Sequence, residues 1–231
     1  MAKQSIEVLY EDNHIIVVNK PAGLLVQGDK TGDETLAELV KNYIKVQYNK
    51  PGDVFLGVVH RIDRPVSGVV LFARTTKALQ RLNKAFSERH IKKTYWAVVT
   101  KRPPVENDRL CHWLRKNQEK NKSKAFENEA KYTKYCELTY KTLAASDRFT
   151  LLEVNPKTGR HHQIRVQLSK IGCAIKGDLK YGAPRSNNDG GIHLHARKLQ
   201  LEHPVQKKQM TFVARVPKEP LWRTFEEMVR S

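Results

Sequence analysis

Apolar and polar positions change period several times along the chain, and each change marks an element. Ile6–Leu9 and His14–Asn19 are short strand-like runs, with Glu11-Asp12-Asn13 as the turn between them. Pro21 and Gly23 break the pattern within NKPAGLLVQG. The period then lengthens. Leu36, Leu39, Val40, Tyr43 and Ile44 recur three and four apart, which predicts a helix capped by Asp33 and running to about Tyr48, ended by Pro51-Gly52. Val69–Ala73 is a continuous apolar run, hence a buried strand. Leu79, Leu82 and Phe86 share one face of a second helix, capped by Thr75 or Thr76, and Thr94–Thr100 is the next strand. Residues 101–130 are polar and irregular and read as a mobile basic loop, with RKNQEKNKSK at 115–124. Lys131–Leu143 and Arg148–Val154 predict a strand pair. In His161–Ile171, Ile164, Val166 and Leu168 alternate like a strand, whereas Ile164, Leu168 and Ile171 follow helical spacing. Gly172 is a natural helix stop, so the helix is preferred. Strands at Leu194–Leu201 and Met210–Val216 and a helix near Leu221–Val229 complete the chain.

This alternation predicts an α+β fold: a mostly antiparallel, mixed β-sheet core with flanking helices. No internal repeat and no long Pro/Gly/Ser linker divides it, so residues 1–231 are expected to form a single domain with a substantial core.

Composition narrows the function classes. The chain is 39% hydrophobic and 29% charged, and no apolar run approaches the roughly 20 residues of a membrane-spanning helix. The N-terminal MAKQSIEVLYEDNHIIVV has no basic region leading into an apolar stretch and a cleavage site, so no secretory signal is expected. Cys111, Cys136 and Cys173 are odd in number and widely spaced, which indicates neither a disulfide framework nor a cysteine metal site; a reducing cytoplasm is the expected location. The 42 Lys and Arg against 24 Asp and Glu give a net charge of +18 and a pI near 9.9. Such an excess attracts polyanions. The competing reading is a basic protein with no nucleic-acid role.

The candidate chemistry lies in VVHRIDRPVSGVVLFAR at 58–74, where Asp63 sits between Arg61 and Arg64. A carboxylate beside guanidiniums has its charged form favoured. Turn chemistry at Pro65 and Ser67-Gly68 would fix it before the buried strand. An exposed Arg–Asp pair at a strand end is the bland alternative. Residue order favours the functional one: HRIDRPVSG resembles the catalytic signature of RluA-type pseudouridine synthases. NKPAGLLV at 19–26, KKTYWAVV at 92–99, NPKTGRHHQIRVQLSKIGCAIKGDLKYG at 155–182 and IHLHARKLQLEHP at 192–204 resemble further blocks of that family, in family order and over nearly the whole chain.

The resemblance implies a pseudouridine synthase fold with a central catalytic cleft, an RNA partner, isomerisation of uridine to pseudouridine, and no cofactor. It implies that Asp63 is the essential carboxylate. Arg165 would pair with Asp63, and Tyr95 would stack on the flipped uracil and assist proton removal from carbon 5. Arg61 would hold the RNA backbone or fill the gap left by the base. Arg64 and His60 would contribute to RNA binding, Arg160 would bind phosphate or cap a turn, and Ile164 would pack near the base. Ile62 and Val66 depart from the commoner residues of the signature without removing a reactive group, and His161 precedes the expected His162. No separate N-terminal RNA-binding domain of the S4 kind is expected, so the loop at 101–130 is either a solvated excursion or an RNA contact. Ribosomal RNA and tRNA are both plausible targets, with a monomer as the acting species. His161-His162 and His193-x-His195 lack third and fourth ligands for a metal, and Lys20-Pro21 and Gly177-Asp178 read as loop architecture. Two other classes remain: a non-catalytic RNA-binding protein, and a glycosidase-like hydrolase, which usually needs two carboxylates.

Overall fold

The structure, a computed structural model, describes residues 6–28 and 32–230. In chain order its strands are β1 (Glu7–Glu11), β2 (Ile15–Lys20), β3 (Gly57–Val58), β4 (Ser67–Ala73), β5 (Lys92–Val99), β6 (Asn107–Asn117), β7 (Lys122–Phe126), β8 (Lys134–Ala145), β9 (Thr150–Pro156), β10 (Leu194–Glu202) and β11 (Gln209–Val213). The helices are α1 (Leu36–Gln47), α2 (Thr76–Ser87), α3 (Gln163–Lys170) and α4 (Pro220–Arg230). The class is α+β with antiparallel strand pairing, as the alternation predicted. The chain divides into two compact units. The first holds the residues up to Lys92 together with Ala196–Arg215; the second holds Lys93–His195 and the residues from Val216 on.

In the first unit β1, β2, β4 and β10 lie side by side, with β3 on β4 and β11 on β10. Ile15, Val17, Val69, Leu71 and Ala73 face one way and pack with Ala78 and Leu82 of α2 and with Leu199, Leu201 and Phe212. Ile16, Val18, Val70 and Phe72 face the other way and are also fully buried. Burial on both faces explains why β2 and β4 read as unbroken apolar runs. Thr75 caps α2, accepting from the Ala78 N–H at 3.2 Å. The cap of α1 is Thr35, not Asp33: the Thr35 hydroxyl accepts from the Glu38 N–H at 3.3 Å and the Glu38 carboxylate accepts from the Thr35 N–H at 2.7 Å. This reciprocal capping box satisfies two donors that Asp33 would leave open. Asp33 is engaged elsewhere, as shown below.

In the second unit the order is β5-β9-β8-β6-β7. Residues 101–130 are therefore not an irregular loop. They contain the hairpin β6–β7, paired from Trp113↔Phe126 to Asn117↔Lys122. Its inward set is Leu110, His112 and Leu114 with Ser123 and Ala125, and its outward set is largely charged. With His and Ser among the buried positions, the apolar alternation is too weak to read from the sequence. Helix α3 buries every residue from Gln163 to Leu168, which settles the strand-or-helix ambiguity. Helix α4 places Trp222 and Phe225 against Trp96, Val98 and Leu151.

Candidate active site

In the first unit, the Asp63 loop is built by its neighbours on both sides. Before it, the His60 ring stacks on Phe86 with centroids 5.0 Å apart, and its Nε2 accepts the Leu71 N–H at 2.9 Å. Ile62 is buried, which anchors the loop one residue before the half-buried Asp63. After it, the Asp63 carbonyl accepts the Val66 N–H at 3.0 Å and closes a turn over Arg64-Pro65. Gly68 then enters β4 with φ +116°, and a side-chain carbon there would stand 2.6–2.7 Å from the Ala196 backbone N and C. Only glycine fits that approach.

The NKPAGLLV block braces this turn. Lys20 is fully buried, and its ammonium donates to the carbonyls of Pro21 (2.9 Å), Leu24 (2.7 Å) and Arg64 (3.1 Å). The Gly23 N–H also donates to the Arg64 carbonyl, at 2.8 Å. In return the Arg64 side chain donates from Nε to the Gly23 carbonyl at 2.9 Å and pairs through Nη1 with Asp33 at 2.8 Å. This ion pair is what removes Asp33 from helix capping. Burial pushes the pKa of Lys20 from 10.5 down to about 7; the charge of Asp63 draws it back up and Arg64 pushes it down. Lys20 thus shares the electrostatic environment of Asp63. The sequence reading of Lys20-Pro21 as loop architecture matches the hydrogen bonds and misses that coupling. A lysine ending an apolar strand beside proline was the available signal. Arg61 is exposed.

In the second unit, GRHHQIR forms the turn into α3 and its first residues. His162 starts the helix in the left-handed conformation (φ 54°), and its Nδ1 lies 2.9 Å from the Tyr181 hydroxyl. Gln163 ties the preceding turn down: its Oε1 accepts from Thr158 Oγ1 (2.8 Å) and the Arg160 N–H (3.0 Å), and its Nε2 donates to the Glu137 carbonyl (3.0 Å). Arg165 is buried in a two-point pair with Asp178, Nε to Oδ2 at 2.7 Å and Nη2 to Oδ1 at 2.9 Å, and its guanidinium lies over the Tyr181 ring at 5.1 Å. This fork fixes the guanidinium plane. Asp178 and Tyr181, read as loop architecture or not singled out, are therefore what orients Arg165; a carboxylate thirteen residues away gave no signal by spacing.

Tyr95 pairs with Val154 across β5 and β9, and Val154 pairs with Tyr140 on β8. Tyr95 therefore shares the sheet face of Tyr140, Leu138 and Cys136, the face on which Cys136 packs with Val166 of α3. The structure so brings Tyr95, Ile164 and Arg165 to one side of the second unit. Ile164 is buried. Arg160 is exposed, with Nε donating to the Tyr135 carbonyl at 3.1 Å.

His161 and His193 serve packing. His161 stacks on His162 at 3.7 Å and its Nδ1 lies 2.9 Å from Ser123 Oγ. His193 sits between Asn187 (2.9 Å) and Glu219 (3.1 Å) and stacks on Trp222. Burial, aided by Lys176, lowers its pKa, so it is neutral at physiological pH.

Comparison with known proteins adds a second line of observation. The family model described as RNA pseudouridylate synthase matches residues 14–170. The chain is 33% identical over 216 residues to the dual-specificity RNA pseudouridine synthase RluA of Escherichia coli strain K12, covering 90% of this chain and 91% of that protein. It is 32% identical over 231 residues to the tRNA pseudouridine synthase C of Pectobacterium carotovorum subsp. carotovorum, covering 91% of this chain and 59% of that protein, so it spans less than two thirds of that relative's length. Its fold is similar to the solved structure of human RNA pseudouridylate synthase domain containing 4, with a TM-score of 0.78 at 23% identity, covering 97% of this chain and 93% of that one.

Proposed function

The chain belongs to the RNA pseudouridylate synthase family, and from that premise we propose that it isomerises uridine to pseudouridine within RNA, with Asp63 as the essential carboxylate. In this reaction the bond from ribose C1′ to base N1 breaks, the uracil turns in place, and C1′ joins base C5. The proton of C5 is lost and N1 gains one, so the balance closes without an added reactant.

The observation that carries the assignment is the way Asp63 is presented. Its turn is held by the buried Lys20 and by Gly23 on one side and by the glycine-only entry to β4 on the other. A group held this way acts without first being ordered. The carboxylate attacks the ribose or takes a proton from it as the uracil leaves. Tyr95 stacks on the base and assists removal of the C5 proton. Arg165, its plane fixed by Asp178, is the cation we assign to the reacting step. Arg61, Arg64, His60 and Arg160 hold the RNA, and Ile164 packs near the base. Cations beside the site also attract the phosphates of the RNA. The target base must leave its stack at a cost of a few kcal/mol, least in a loop or bulge. Names among its relatives, tRNA pseudouridine synthase C and ribosomal large subunit pseudouridine synthase C, support tRNA and ribosomal RNA as substrate classes. The acting species is a cytoplasmic monomer in which residues 1–231 serve as one catalytic domain.

The test is incubation of the protein and of Asp63→Asn with RNA lacking the modification, followed by carbodiimide labelling and reverse transcription. Wild type yields stops at defined uridines and the variant yields none while binding RNA equally. Equal binding with no stops from either protein would replace this reading with a non-catalytic RNA-binding one.

A further inference from the structure

The outward face of the hairpin and of β8 carries a row of rings that the proposed chemistry does not use. Trp113 on β6 is directly opposite Phe126 on β7 and Tyr135 on β8. The three rings therefore stand side by side across three strands, on the face opposite the buried Leu114, Ala125 and Cys136. Trp113 and Tyr135 meet edge to face with centroids 5.6 Å apart. All three residues are partly exposed. One step along the same face, Arg115 is directly opposite Lys124. The Arg115 guanidinium carbon lies 5.0 Å and the Lys124 ammonium 5.2 Å from the centroid of the Phe126 ring.

Cross-strand aromatic pairs stabilise a sheet by themselves, so the rings alone would be packing. The cations are different. Like charges directly opposite one another destabilise a strand pair, and neither Arg115 nor Lys124 has an acidic partner among the described residues. Glu137, the carboxylate that accepts from the Tyr135 hydroxyl, is already taken by Arg109 at 3.0 Å. Helix α4 does not cover the row: it packs with Leu143, Ala144 and Leu151, and Leu143 lies about 26 Å along β8 from Tyr135 at the usual strand rise. A cationic, aromatic, uncovered patch of this kind suits a ligand that brings both flat rings and negative charge.

We propose that Phe126, Trp113 and Tyr135 form a stacking platform for two or three unpaired nucleotides of RNA, with Arg115 and Lys124 on the adjoining phosphates. The choice of RNA as ligand rests on the function proposed above. The row spans two inter-strand spacings, about 10 Å, which is the width of a few bases laid on a sheet. Bases in a duplex have their faces covered by their neighbours and cannot use it; unpaired bases can.

The probe is a 12-nucleotide oligoadenylate, which contains no uridine and so tests the platform whatever Asp63 does. Of the three tryptophans, Trp96 and Trp222 are buried at 7% and 3% exposure, leaving Trp113 as the partly exposed reporter. The oligoadenylate quenches the protein's tryptophan fluorescence on binding, and a 12-base-pair RNA duplex does not. Trp113→Phe loses the quenching and keeps the affinity within about threefold, because one ring replaces another. Phe126→Leu, which keeps an apolar side chain without the ring, weakens binding about 3–10-fold. Lys124→Gln, at an exposed position that folding does not need, also weakens it and lowers the salt slope by about 0.7. Binding without quenching, equal quenching by duplex, or affinity unchanged in both Phe126→Leu and Lys124→Gln would overturn the proposal. Failure of pseudouridine formation would leave these readings as they are.

Discussion

Replacing Asp178 by asparagine changes one atom and tests how Arg165 is held. Both members of the pair are buried, with side-chain exposures of 6% and 1%. In the wild type both carboxylate oxygens accept, at 2.7 and 2.9 Å. Asparagine keeps one acceptor and turns an NH2 toward the guanidinium, donor against donor, while the buried cation loses its countercharge. Removing one partner of a buried pair costs about 3–5 kcal/mol. For a chain of this length each kcal/mol lowers the unfolding midpoint by about 2–4 °C, so a loss of about 6–20 °C is expected. All three tryptophans lie in the second unit, so fluorescence-detected melting reads the unit that holds the pair. The double variant Arg165→Met with Asp178→Leu replaces the pair by apolar groups and should recover most of the stability. It should remain inactive, measured as tritium release from C5-labelled uridine in RNA. The reasoning fails if Asp178→Asn melts within 2 °C of wild type, or if the double variant is no more stable than the single one.

Gly68→Ala should destabilise the first unit by at least about 2 kcal/mol, since the new methyl meets the Ala196 backbone and φ is +116°; chemical denaturation followed by far-ultraviolet circular dichroism measures it, and a wild-type midpoint would contradict the packing. Lys20 makes stability depend on pH. Its folded pKa of about 7 lies below its ordinary 10.5, so between those values the unfolded chain binds more protons and stability rises with pH. From pH 7 to 9.5 the gain is on the order of 3 kcal/mol. The urea midpoint of wild type should climb over that range relative to Lys20→Met; parallel slopes would show that Lys20 stays charged in the fold.

What the sequence made legible was whatever short-range pattern specifies. The apolar runs of β2 and β4, the spacing of α1 and α2, and the Gly172 stop after α3 all follow from neighbours within a few residues. The segment proposed as catalytic was legible through its family resemblance, which nine contiguous residues carry together with four further blocks. Everything misread depends on a partner far along the chain. Asp33 looks like a helix cap until Arg64, 31 residues on, takes its carboxylate. Lys20 reads as loop architecture alone until the Arg64 carbonyl, 44 residues away, accepts from its ammonium. The strand β6 hides because it buries His112 beside Leu110 and Leu114, and that histidine is matched by Gln167 of α3, 55 residues later. Lys20 and His112 are buried polar side chains where hydrophobicity alone would put them in water, and burial is tolerated because a distant group completes their hydrogen bonds; Asp33 stays exposed and is redirected by its distant ion pair. Those long-range polar ties are also the ones that brace the Asp63 turn and the Arg165 helix. The residues least legible from spacing are therefore those that hold the proposed reacting groups, and substitutions at Lys20 and Asp178 should impair catalysis through position while leaving every proposed reacting side chain in place.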